Sequence, residues 1–75
     1  MEIEDRIKKD IGIFSDNIKK VDKSKLSARE DEVVELAKMY AKDAGSWLEK
    51  KDYYTSFSSI AYAHGLLDAI LKTKG

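Results

Sequence analysis

Residues 47–57 read Trp47-Leu48-Glu49-Lys50-Lys51-Asp52-Tyr53-Tyr54-Thr55-Ser56-Phe57, and this stretch decides the fold. Two lysines close one amphipathic run, and an aspartate opens the next. Cations suit a helix C-terminus and Asp is a strong N-cap, so a helix ends here and another begins almost at once. A connection this short forces the two helices to lie side by side and antiparallel.

The same polarity recurs outward. Glu2, Glu4 and Asp5 open a first helix that Lys19 and Lys20 close. Glu30, Asp31 and Glu32 open the second, while Lys72 and Lys74 close the third. Ser27 followed by Glu30 predicts a capping box, and the polar run Asp22-Lys23-Ser24-Lys25 separates the first two helices. Apolar residues recur at spacings of four and three: Ile3, Ile7, Ile11, Phe14, Ile18 and Val21; then Val33, Ala37, Tyr40, Ala44 and Trp47, widened by Leu36, Ala41 and Leu48; then Tyr53, Phe57, Ile60, His64, Leu67 and Leu71. A repeat averaging about 3.5 is the seam of packed antiparallel helices. With no proline and no strand-like alternation, the chain reads as all-α. The expected architecture is one three-helix up-and-down antiparallel bundle with a left-handed twist, its helices at about residues 2–21, 28–50 and 53–72.

Folding the third helix back about Lys51-Asp52 pairs Trp47 with Phe57, Ala44 with Ile60, Tyr40 with His64, Ala37 with Leu67 and Val33 with Leu71. The small-residue rows Ala37-Ala41-Gly45 and Ala61-Gly65-Ala69 predict close backbone approach, whereas Gly12 reads as a tolerant surface position.

Composition narrows the function. A chain of 75 residues makes one domain, and one this short buries only about 60% of its unfolded surface. It has no cysteine for a disulfide, and one histidine without a thiol cannot close a zinc site. Lys+Arg and Asp+Glu are both 14, so the basic excess typical of nucleic-acid binding is missing. No apolar run approaches the roughly 20 residues of a membrane span, and the acidic start is unlike a signal peptide. A cytoplasmic protein without a cofactor is expected.

His64 is the candidate for chemistry. On the seam beside Tyr40, with Asp68 one turn on, it reads as a satisfied core histidine that sets helix register; the sharper reading is a general base oriented by Asp68. Asp43 and Asp68 each sit one position off a seam and read as facing water or pairing with a lysine, the alternative being to cap a hydroxyl such as that of Tyr40 or Tyr62. Asp43, His64 and Asp68 make an incomplete ligand set, so no metal is expected. Trp47 and the tyrosines read as core, and Thr55, Ser56, Ser58 and Ser59 as a polar face. Tyr62, Leu66, Ala69 and Ile70 lie off the seam and predict either an interface or packing beneath helix one. Lys19, Lys20, Lys23 and Lys25 form a basic corner diluted by Asp22 and read as a solvated helix end.

The pattern Tyr40-x-x-Asp43-Ala44, Trp47-Leu48, Lys51-Asp52-Tyr53 and Phe57, closing on Tyr62-Ala63-His64-Gly65-Leu66-Leu67-Asp68-Ala69, resembles the archaeal domain of unknown function 357 family. The likeness is close over helices two and three and rests on length and pattern over helix one. It implies a cytoplasmic archaeal three-helix bundle of unassigned activity, with an accessory role beside nucleotidyltransferase-like domains. Its signature positions here are Tyr40, Asp43, Asp52, Tyr62, His64, Gly65 and Asp68, and Ser56 replaces an expected alanine. Helical HEPN-type nucleases carry an arginine four to six residues before their histidine; positions 57 to 60 are Phe57, Ser58, Ser59 and Ile60, so that motif is missing. The expected function is a non-catalytic protein-interaction or accessory module, self-associating or docked on a larger protein. The alternative is a small enzyme or nucleotide- or RNA-binding domain that uses His64 and Asp68.

Overall fold

A computed structural model describes residues 2–74, apart from the side chain of Lys74. Three α-helices account for nearly all of it: α1 (Ile3–Ile18), α2 (Ala28–Glu49) and α3 (Tyr53–Lys74), with a single 3-10 turn at Lys23–Lys25. The longest dimension is 37 Å, close to the ~33 Å that a 22-residue helix spans. The fold is a small all-α bundle.

Local chemistry explains the helix ends. Ser27 Oγ accepts from the Glu30 amide at 3.1 Å, and Glu30 Oε1 accepts from the Ser27 amide at 2.8 Å, completing the expected box. At the far end of α2, Lys51 takes a left-handed conformation, φ 62°. Its amide bonds the Leu48 carbonyl and that of Asp52 bonds the Trp47 carbonyl, both at 3.0 Å. These paired bonds are a Schellman closure. Asp52 then caps α3 directly, accepting from the Thr55 amide at 3.1 Å and the Thr55 hydroxyl at 2.9 Å.

Helix α1 stops at Ile18 rather than continuing to residue 21. Its last turn tightens through bonds from Lys20 to Asn17 and from Val21 to Ile18. Asp22 then holds the Ser24 amide and hydroxyl, which starts the 3-10 turn. The expected basic corner is therefore partly neutralised: Lys23 Nζ donates to Glu35 Oε2 at 2.8 Å and lies 3.6 Å from Asp31 Oδ1. The closing charge expected from the Lys74 side chain lies outside the described residues.

Helices α2 and α3 make the most extensive contact, and α1 leans on α3 more than on α2. The central cluster is Phe14, Ala37, Ala44, Ile60, Ala63 and Leu67, with Ile7, Val34 and Ile70 also buried. Each large aliphatic side chain so placed is worth about 1.5–3 kcal/mol.

The seams are turned relative to expectation. On α2, Val34 is wholly buried and Val33 is not, while Trp47 and Leu36 are each 37% exposed. On α3, Ser56, Ala63 and Ile70 are buried, while Phe57 is 36% exposed. The reason is that each helix must serve two neighbours. The inward arc of α3 is centred between the side facing α1 and the side facing α2, and apolar spacing alone registered mainly the first. Ser56 fits its buried place because its hydroxyl donates to the Ala44 carbonyl at 2.6 Å.

Close packing of glycines is not found. A Cβ added at Gly12, Gly45 or Gly65 would meet nothing within 4 Å. Each sits inside a helix, where glycine costs about 1 kcal/mol against alanine. Gly45→Ala and Gly65→Ala are therefore expected to stabilise the protein by ~0.5–1 kcal/mol each, raising Tm by about 4–8 °C per kcal/mol. Thermal melts followed by circular dichroism test this, and a fall in Tm would mean that the space is needed.

Candidate functional site

The signature residues divide between two sides of the bundle. His64 projects from α3 toward α1, where its Nε2–H donates to the Asp10 backbone carbonyl at 2.8 Å. A carbonyl can only accept, so the proton must sit on Nε2. The ring also meets Phe14 edge to face, with centroids 5.8 Å apart at 85°. Two groups of α1 thus hold a half-buried imidazole. The bond ties one residue of α3 to one of α1 across 54 positions of chain.

Tyr40 is elsewhere. Its ring packs on Tyr62, not His64, with centroids 4.6 Å apart at 72°. Residues two apart on a helix point about 200° apart, so Tyr62 faces α2 while His64 faces α1. The expected Tyr40–His64 contact assumed one face for both neighbours. Asp68 and Asp43 are exposed, and among the described residues neither accepts a hydrogen bond or joins an ion pair. Tyr40, Asp43, His64 and Asp68 therefore form no single constellation. Among the expected interface residues, Tyr62 is 51% exposed and Leu66 half-buried, but Ile70 is only 7% exposed and belongs to the interior.

A polar contact absent from the sequence reading joins the other end of α1 to α3. Tyr53 Oη donates to Glu4 Oε1 at 2.8 Å, and Lys8 pairs with Glu4 at 3.2 Å. The tyrosine hydroxyl, then the lysine, hold the Glu4 carboxyl below its ordinary value of 4.5, and the carboxylate in turn raises the Tyr53 phenol above 10.0. Glu4 in the first turn and Tyr53 on the seam were both visible, but only the α1–α3 packing brings them together. On α2, hydrogen bonds from Lys23 and then Lys38 lower Glu35 in the same way.

Among the described residues, no group of three or more His, Cys, Asp and Glu could hold a metal ion. No helix among them is long and apolar enough to cross a membrane. One open groove of ≈ 250 Å³ lies between the α1–α2 connection and the last turns of α3, lined by Lys20, Val21, Lys25, Leu26, Ile70 and Leu71 among others. None of the signature residues borders it.

The sequence matches the family described as Protein of unknown function (DUF357) over residues 9–74. The chain belongs to that family, and the match reaches into helix α1, beyond the segments that carried the resemblance. No curated protein matches it.

Two substitutions probe these contacts. His64→Ala should cost about 1–3 kcal/mol, since it removes both the bond and its packing; His64→Gln, which keeps a donor, should recover part of that loss in urea titrations. Tyr53→Phe should alter the pH dependence of stability. The lowered Glu4 contributes stability above its ordinary pKa and loses it as pH falls through the folded value. The raised Tyr53 contributes below 10.0 and loses it as pH climbs through the folded value. The Tm gap between wild type and Tyr53→Phe should be level between those limits and narrow at both. A gap that did not vary with pH would contradict this.

Proposed function

We propose that this chain is a non-catalytic interaction module of the cytoplasm that docks another protein through the outer face of the α2–α3 pair. The observation that carries this reading is an aromatic and apolar surface on the side of α3 away from α1. Leu36, Tyr40 and Trp47 supply it from α2, and Tyr62 and Leu66 from α3, with Met39 beside them at 61% exposure. Tyr, Trp and Met are the residue types enriched where proteins meet, and contiguous exposed apolar area marks such sites. The partner is a second copy or a larger protein, such as the nucleotidyltransferase-like domain that the resemblance implies. Catalysis or nucleotide binding by His64 and Asp68 draws no support from the geometry, since the ring is committed to Asp10 and Phe14 and the carboxylate stands apart.

Affinity capture from the native cell tests the reading with three tagged proteins. Wild type and Ile13→Glu, altered at an exposed site on α1, should retain the same partner chain. Leu36→Glu/Tyr62→Glu should lose it with helicity unchanged. Identical bound proteins for all three would overturn the assignment.

A further inference from the structure

We propose that the partner is a second copy of this chain, with the two α2 helices packed antiparallel about a two-fold axis midway between Tyr40 and Asp43. This deepens the docking-face reading and rests on it. Leu36, Tyr40, Asp43 and Trp47 fall at i, i+4, i+7 and i+11, a single stripe along α2 of the kind that packs helix on helix. A two-fold interface uses the same patch twice, so the stripe must complement its own reverse.

It does. Pairing positions symmetrically about that midpoint sets Leu36 against the partner's Trp47, apolar on apolar. Tyr40 falls against the partner's Asp43, twice by symmetry. Within the chain the Tyr40 hydroxyl makes no hydrogen bond among the described residues, and Asp43 is exposed without an ion pair. A tyrosine hydroxyl donating to a carboxylate is a strong, directional contact.

Charge selects the direction. The exposed Glu32 near the start of the stripe comes beside the partner's Lys50 and the partner's Lys51. Lys50 already lies over its own Trp47 ring, 4.8 Å from the centroid, at the edge of the same patch. A parallel pairing would set Glu32 on Glu32 and Lys50 on Lys50, which is repulsive, and would align the helix dipoles unfavourably. The antiparallel register turns both terms favourable.

Sedimentation equilibrium at low salt, from ~10 µM to ~1 mM, tests the proposal over the range in which a small interface associates. The mass should rise from the chain's 8.5 kDa toward twice that value. Leu36→Glu should abolish the rise. Glu32→Lys should weaken association roughly tenfold, by turning four attractive pairs (two at each end of the stripe) into repulsive ones, and Glu32→Lys/Lys50→Glu, which leaves Lys51 in place, should recover part of that loss. All three positions are exposed, so circular dichroism should show unchanged helicity. A wild type that stays monomeric throughout overturns self-pairing; the docking face survives that result if Leu36→Glu/Tyr62→Glu still loses a larger protein in the capture experiment. A dimer that ignores both Leu36→Glu and Glu32→Lys overturns the proposal, and the docking face falls with it if Leu36→Glu/Tyr62→Glu also loses nothing in the capture experiment. A dimer that Leu36→Glu breaks but that binds no more tightly with the charge exchange than with Glu32→Lys alone overturns the antiparallel register.

Discussion

Lys51 holds a left-handed backbone conformation at φ 62°, and the arrangement of α2 against α3 depends on it. For a residue with a side chain this conformation costs about 1–2 kcal/mol. The two Schellman bonds into α2 and the Asp52 cap on α3 offset that cost. One residue thus closes a helix and the next opens another. The reversal leaves no slack, so it sets which residues of the two helices face each other.

From that register follows a close interface lined by small groups. Ala37 and Ala44 of α2 and Ser56 and Ala63 of α3 are all fully buried. Small side chains let two helices approach, and the approach brings the Ser56 hydroxyl within 2.6 Å of the Ala44 carbonyl. The larger side chains, Phe14, Ile60 and Leu67, fill the space toward α1. Helix α1 is anchored to α3 at two separated points, Glu4 on Tyr53 and Asp10 on His64. Both bonds are polar and partly buried, so they specify position where aliphatic packing alone would tolerate sliding. His64, the one histidine, is thereby explained as a fastening between helices.

With α1 on one side of α3 and α2 on the other, the outer edge of the α2–α3 pair has no third helix to cover it. Tyr40 and Tyr62 pack on each other there, and Leu36 and Trp47 are left more than a third exposed. A fourth helical element would complete the burial, and a second α2 has the spacing and charge order to supply one. Among the signature positions, His64 ties α3 to α1, Tyr40 packs half-buried on Tyr62 at the edge of the core, and Asp43 is exposed.

Helix number, both well-capped starts and the all-α class were legible in the sequence because they depend on interactions within a few residues. The Ser27–Glu30 box and Asp52 on Thr55 are of this kind, as are the acids in the first turns of α1 and α2, whereas the lysines expected to close those two helices fall just past their last turns. The side of each helix that meets each neighbour was not legible. Apolar spacing says that a face is buried, but not how the burial is shared between two partners. A buried Ser56 looks polar until Ala44 stands opposite, and Ile70 looks peripheral until its helix is rotated inward. Tyr40 and His64 share seam spacing, yet they end on different sides because α1 competes with α2 for the surface of α3. That competition is settled only when all three helices are packed together, and it is what separated the histidine from the outward-facing aromatic surface.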